Sequence, residues 1–137
     1  MVDFKRKLDA SIDQRLRTDP VIWLHSTRPD GRPHVVPVWF LWDGATILIF
    51  SLPNTQKLRN LQHCPTVMLA LDSANQGNDI IMLEGRAVLV DDPNVQAMLP
   101  AFADKYRSLR SLTAEAWAAM FSQAIRVTPS RFNCWSK

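Results

Sequence analysis

A chain of 137 residues, 47% apolar and 21% charged, has the composition of one compact globular unit that buries roughly two-thirds of its unfolded surface, and it is too short for two independent domains. Sixteen Lys and Arg against thirteen Asp and Glu leave a net charge of +3, too small an excess to argue for a nucleic-acid partner. The longest purely apolar runs, residues 38–42 and 67–71, fall far below the roughly 18 residues of a membrane span, so no membrane partner is expected either.

The first residues are charged and lack the apolar stretch and small-residue cleavage site of a secretory signal, so the expected location is the cytoplasm. Cys64 and Cys134 are far apart and outside any CxxC or Cys/His cluster, which points to free thiols. Along the chain, Phe4, Leu8, Ile12 and Leu16 recur every four positions among charged neighbours and predict an amphipathic helix over about 3–18, ended by Pro20. Residues 21–24, a Pro29-Asp30-Gly31-Arg32 turn and residues 34–42 predict a hairpin. Asp43-Gly44 then turns the chain into a return strand over 46–51.

Pro53-Asn54-Thr55 carries helix-capping chemistry, and residues 56–63 predict a short helix with Leu58 and Leu61 on one face, stopped by Pro65. Residues 66–71 and 80–90 predict two strands separated by a polar loop. Asp91-Asp92-Pro93 opens a helical region broken by Pro100 and by 107–113, after which 114–121 forms a further turn or two of helix. Residues 124–128 and 131–135 read as extended segments split by Pro129. Six or so short strands joined mostly by tight turns, with peripheral helices, predict a mainly β fold in which residues 1–137 form a single small antiparallel barrel. A parallel α/β sheet would need helices between the first strands, and only turns are there.

Ser51, Asn54, Thr55, Lys57, Arg59 and Asn60 fall together at the start of a helix, the outline of an anion site: unpaired first-turn N–H groups, the helix dipole and a full charge on Lys57. The same residues also suit an ordinary N-cap, Asn54 or Thr55, on a solvated helix face. Pro37 cannot donate to a ladder, which would leave Val36 and Val38 free of regular pairing and suit an edge against a planar heterocycle. Alternatively it marks a bulge or edge strand, with Trp39 and Trp42 in the core or at a subunit contact. His25, His34 and His63 lack metal-ligand spacing, and no metal site is expected. Glu84, beside Gly85, reads as a solvent-facing strand position. No nucleophile elbow, dinucleotide fingerprint or phosphate-binding P-loop occurs, no catalytic residue can be named, and any hard chemistry falls to a cofactor.

Taken together, Arg32-Pro33-His34-Val35-Val36-Pro37-Val38-Trp39-Phe40, Asp43-Gly44, then Ser51 with Thr55, Lys57, Leu58, Arg59 and Asn60, and Pro65 resemble the flavin-binding split β-barrel family related to pyridoxamine 5'-phosphate oxidase. Asp19-Pro20-Val21-Ile22-Trp23-Leu24, Leu83-Glu84-Gly85 and Arg126-Val127-Thr128-Pro129 look most like its deazaflavin (F420)-dependent branch. The resemblance implies a six-stranded antiparallel split barrel, a homodimer with cofactor sites at the interface, FMN or F420 as cofactor, and hydride transfer to a small organic substrate by an oxidoreductase. It implies that the segment from Ser51 to Asn60, Leu58 included, holds the phosphate, with Lys57 the chief contact and Ser51, Thr55 and Asn60 its hydrogen-bonding partners. By the same resemblance the backbone of Val36, Pro37, Val38 and Trp39 lies along the ring, and residues near the C-terminus approach from the partner subunit. Arg59 is either a partner for the acidic tail of F420 or a solvated side chain. Arg131 is the one arginine of 129–135, so the Arg-rich substrate motif of true pyridoxamine phosphate oxidases is missing and vitamin B6 oxidation is not expected. The same fold also serves non-catalytic carriers or sensors of flavin, deazaflavin or haem, and that is the alternative function.

Overall fold

A computed structural model describes residues 3–5, 8–71, 77, 79–91, 95 and 97–136. In chain order the elements are β1 (Asp3–Lys5), α1 (Ala10–Thr18), β2 (Ile22–Thr27), β3 (Pro33–Val38), β4 (Leu41–Trp42), β5 (Ile47–Ser51), α2 (Gln56–His63), β6 (Thr66–Leu71), β7 (Ile80–Val90), α3 (Leu99–Lys105), α4 (Ala114–Met120) and β8 (Gln123–Ser136). All strand pairs are antiparallel, in the order β3-β2-β6-β7-β8-β5-β4, with β1 added to the far end of β8. The mainly β antiparallel class is as expected, with eight strands among the described residues where six were expected.

β3 and β4 stand at opposite ends of that order, yet only Trp39 and Phe40 separate them in the chain. Two residues span at most about 7 Å per fully extended pair, so the sheet must curl until its ends nearly meet. Where it fails to close, Tyr106 fills the break. The Phe40 amide donates to the Tyr106 hydroxyl at 2.8 Å, that hydroxyl lies 2.7 Å from the Pro20 carbonyl and 3.0 Å from the Phe40 carbonyl, and Lys105 Nζ donates to the latter at 2.9 Å. A chain leaving one strand for another needs such partners because its freed backbone groups stay buried.

Two apolar cores follow from strand alternation. Ile47 and Ile49 of β5 face the inside of the curled sheet with Leu16, Leu24, Leu69 and Leu83, whereas Leu48 and Phe50 face a second core built with Phe102, Tyr106 and Trp117 of the α3–α4 region. The second core is aromatic: Phe50 meets Phe102 and Trp117 edge-on, and Trp117 stacks with Phe102 and Phe121.

The expected N-terminal helix over 3–18 is corrected: it starts at Ala10, capped by Asp9, whose carboxylate accepts from the Ile12 amide at 2.9 Å. Residues 3–5 are extended and pair with 134–136. A four-residue apolar spacing equals two strand repeats as well as roughly one helical turn, so Phe4 and Leu8 fitted both. Pro100 does not break a helix; it stands in the first turn of α3, where its missing N–H costs nothing. The expected helix start at 91–93 lies largely outside the described residues. Pro129 does not split the tail, because β8 runs unbroken from Gln123 to Ser136. The ladder instead shifts register there: Glu84 pairs with Arg131 and Gly85 with Pro129, so Ser130 is the extra residue of a bulge. A bulge is where a strand tolerates proline. No helix among the described residues is long and apolar enough to cross a membrane.

Candidate functional site

β3 is the edge strand that Pro37 suggested, but its register with β2 continues through the proline: Leu24 pairs with Val36, Trp23 with Pro37 and Ile22 with Val38. Val36 and Val38 are therefore not left without partner residues, as expected from sequence; their regular pairing is on one side only. The strand ends at Val38, and Trp39 turns out of the sheet to stack face to face on Tyr106, with ring centroids 4.3 Å apart and an interplanar angle of 1°. Stacking of this kind fixes an otherwise mobile indole.

Beyond Trp39 opens a cavity of about 440 Å³, within the size range of small-molecule sites. Pro37, Val38 and Trp39 form one part of its wall, Phe50, Ser51, Leu52 and Lys57 another, and Leu109, Arg110, Ser111, Leu112, Trp117, Met120 and Phe121 the remainder. The segments meet because β5 presents its outward face to α4 while α2 begins directly after the β5 end.

Lys57 occupies the first turn of α2, with its Nζ 3.3 Å from the Thr55 hydroxyl, which lies 3.4 Å from the Ser51 hydroxyl. Thr55 is the N-cap residue, yet its side chain makes no capping bond to α2. Thr55 therefore holds the expected cap position without the expected capping bond, and Asn54, the other candidate, sits in a left-handed turn at φ 61° and contributes its carbonyl to Arg59 Nη1. The Thr55 hydroxyl is thus turned toward Ser51 and Lys57, and the first-turn N–H groups of α2 lack a side-chain cap. Burial pushes the Lys57 ammonium below its ordinary pKa, since desolvation disfavours the charged form. Among the described residues no carboxylate pairs with Lys57, and no Asp or Glu lines the cavity. An anion would supply the missing counter-charge.

The structure adds His34, passed over in the sequence as a strand residue. Its Nδ1 is buried without a hydrogen-bond partner. Its pKa is pushed down by desolvation first and then by the positive charges of Arg28 and Lys57. The Arg28 and Lys57 charges thus both disfavour protonation of His34, which itself does not line the cavity.

Other expected site residues are not brought to the cavity. Asn60 is fully buried, its amide donating to Ser26 Oγ at 3.1 Å and its carbonyl accepting from Gln56 at 2.8 Å. It ties α2 to β2 and cannot reach a phosphate as a hydrogen-bonding partner. Leu58 is part of the inner core, and Val36 packs against that core instead of lining the cavity. Arg59 is exposed, bonded to the Asn54 carbonyl and Gln56 Oε1, and faces a separate groove of about 210 Å³ with Gln62, Leu89 and Gln123. Glu84, expected to face solvent, is half-buried and lies with His25, Met68 and Met82 along a shallow depression on the outer sheet face. Among the described residues no cluster of His, Cys, Asp and Glu could hold a metal ion.

Phe50, Arg110, Trp117 and Phe121 were not singled out from sequence. The strand pattern marked Phe50 as apolar without saying which core it faced, and nothing local in 106–113 tells that this loop folds over the end of β5.

The cavity's chemistry fits a planar ligand carrying phosphate: aromatic and apolar walls at Trp39, Phe50 and Trp117, and the Ser51 hydroxyl and Lys57 ammonium, which the Thr55 hydroxyl behind them contacts, with no carboxylate among the described residues pairing the ammonium. Among solved structures the chain is similar in fold to an F420 reductase, with 24% identity, 91% of this chain and 98% of that chain covered and a TM-score of 0.74. It is similar to the conserved hypothetical protein Rv2991 from Mycobacterium tuberculosis at 22% identity, covering 95% and 85% of the two chains with a TM-score of 0.78. It is also similar to HutZ, the haem storage protein from Vibrio cholerae, at 14% identity, covering 90% and 91% with a TM-score of 0.70. No curated protein matches the sequence. The family model described as pyridoxamine 5'-phosphate oxidase matches residues 8–136, nearly the whole chain, and on that match the chain belongs to the pyridoxamine 5'-phosphate oxidase family.

Proposed function

We propose that this chain is an oxidoreductase that binds a flavin-type cofactor, F420 or FMN, in the cavity beside Trp39 and serves hydride transfer to a small organic substrate. The observation that carries the reading is the pairing of an uncompensated Lys57, with the Ser51 and Thr55 hydroxyls beside it, and an aromatic slot in the same cavity. Ser51, Thr55 and Lys57 hold the phosphate; Pro37, Val38 and Trp39 lie along the ring. When bound, the cofactor supplies the site at which hydride is gained or lost. The protein's own part is binding, orientation and exclusion of water by Phe50, Trp117 and Phe121. Family membership supports the class, as does the F420 reductase among its fold neighbours.

We place the cofactor at the interface of a homodimer. Support comes from the outer face of β3, β2, β6 and β7, where Pro37, Trp23, Ala70 and Met82 form one row across the sheet and Val35, His25, Met68 and Glu84 the next. Trp23, Val35 and Met68 are exposed at 41%, 47% and 37%, an apolar surface that a second copy would cover. Pro37 belongs both to this face and to the cavity wall, so the partner would reach the site.

The test is turnover: protein loaded with reduced F420, or with FMN and a chemical reductant, is offered a panel of enones, quinones and nitroaromatics, with oxidation followed by absorbance. Protein-dependent oxidation of the cofactor with at least one acceptor is expected. Tight cofactor binding without turnover of any acceptor would move the chain to the carrier or sensor class, to which the haem storage protein of the same fold belongs.

A further inference from the structure

The cavity carries a second cation that the cofactor reading leaves unused. The loop between α3 and α4 brings Arg110 to the wall next to Leu109 and Leu112. Its Nε donates to the Ala103 carbonyl at 3.3 Å and its Nη1 to the Leu112 carbonyl at 2.7 Å. These bonds occupy two of the five guanidinium N–H groups. Among the described residues no carboxylate forms an ion pair with Arg110, and the cavity wall has no acid of its own. The loop carbonyls thus hold the guanidinium in place, so little rotamer freedom remains to be lost when an anion arrives.

Its neighbours set the rest of the ligand. Leu109, Leu112 and Met120 line the same cavity and are 56%, 37% and 49% exposed. Three large apolar side chains on a cavity wall favour an apolar body, and a guanidinium among them favours one anionic group at its edge. We propose that Arg110 reads the carboxylate of an apolar, planar substrate whose body lies against Leu109, Leu112 and Met120. Naming this ligand a substrate rests on the cofactor reading above; carboxylate binding at Arg110 does not.

The experiment compares 1-naphthoate with 1-naphthamide, which share an apolar body and differ in charge, by quenching of tryptophan fluorescence, since Trp39 and Trp117 both line the cavity. Naphthoate should bind at least about tenfold more tightly to the wild type. That preference should shrink to within about twofold in Arg110→Gln, persist in part in Arg110→Lys, and persist in Lys57→Gln. Equal affinities in the wild type would overturn the proposal without recourse to any variant, as would a preference lost in Lys57→Gln and kept in Arg110→Gln. The titration is repeated with saturating FMN or F420, whichever binds: naphthoate should still bind, and its displacement by the cofactor would give Arg110 to the cofactor and overturn the substrate assignment. Failure of both cofactors to bind would overturn the cofactor reading alone, because the naphthoate comparison on unloaded protein stands by itself.

Discussion

At the residue scale, Lys57 carries the phosphate assignment. Its ammonium is half-buried and, among the described residues, has the Thr55 hydroxyl as its one long contact, so a bound phosphate would gain a charge-assisted bond for which no carboxylate of the described wall competes. Lys57→Ala should weaken FMN or F420 binding by about 1.5–3 kcal/mol, read as a rise in Kd by fluorescence titration; an unchanged Kd would remove Lys57 from the site. Gly85 makes a different demand. A Cβ there would stand 2.7 Å from the Thr128 carbonyl oxygen and 2.7 Å from Val127 Cγ1, and the backbone of a paired central strand cannot retreat cheaply. Gly85→Ala should therefore cost about 1–3 kcal/mol, seen as a lower Tm with the cofactor contacts untouched. Spacing marked Ser51, Thr55 and Lys57 as one group, and the structure does bring their polar atoms together. Spacing could not sort Asn60 from them, because whether a polar residue beside Leu61 meets water or a buried Ser26 depends on what β2 presents across the gap.

At the element scale, the turn, helix and strand chemistry of 43–71 and 80–90 was legible almost residue by residue, whereas the strand expected over 34–42 is in fact divided between β3 and β4. The Asp43 carboxylate accepts from the Ala45 and Thr46 amides to close its hairpin, with Gly44 at φ 95°, as an Asp-Gly turn requires. The α3 end was not legible, because Lys105 and Tyr106 act on residues some 65 positions earlier in the chain. Their burial yields a testable pH dependence. Desolvation pushes Lys105 down to about 8 from 10.5, against a weaker pull from Asp19. Between those values the unfolded chain holds a proton that the folded chain has released, so the Lys105 contribution to stability rises with pH across that window. Tyr106 runs the other way: burial raises its phenol above 10.0, so its contribution is complete below that pH and is lost as the unfolded chain ionises. The Tm of the wild type relative to Lys105→Met should therefore increase from pH 8 to pH 10. A pH-independent difference would show that the ammonium keeps its water.

At the scale of the whole molecule, turn-linked strands were enough to indicate an antiparallel, curled sheet, whereas the count of strands was not, since a two-residue β4 and a three-residue β1 exist only through their partners β5 and β8. The outer rows containing Trp23 and Met68 were equally hidden, because alternation along β2 and β6 shows two faces without saying that the Trp23 row of the outer one is apolar across four strands. On the homodimer proposal, size exclusion with light scattering should give twice the chain mass at micromolar concentration, and Met68→Glu should shift it toward monomer and weaken cofactor binding together. A wild-type monomer at that concentration would remove the partner from the site. The most direct measurement is an equilibrium titration of the unloaded protein with FMN and with F420 in the same buffer. One of the two should bind with a micromolar or lower Kd and quench the tryptophan emission of the cavity wall, while binding of neither would contradict the cofactor site itself.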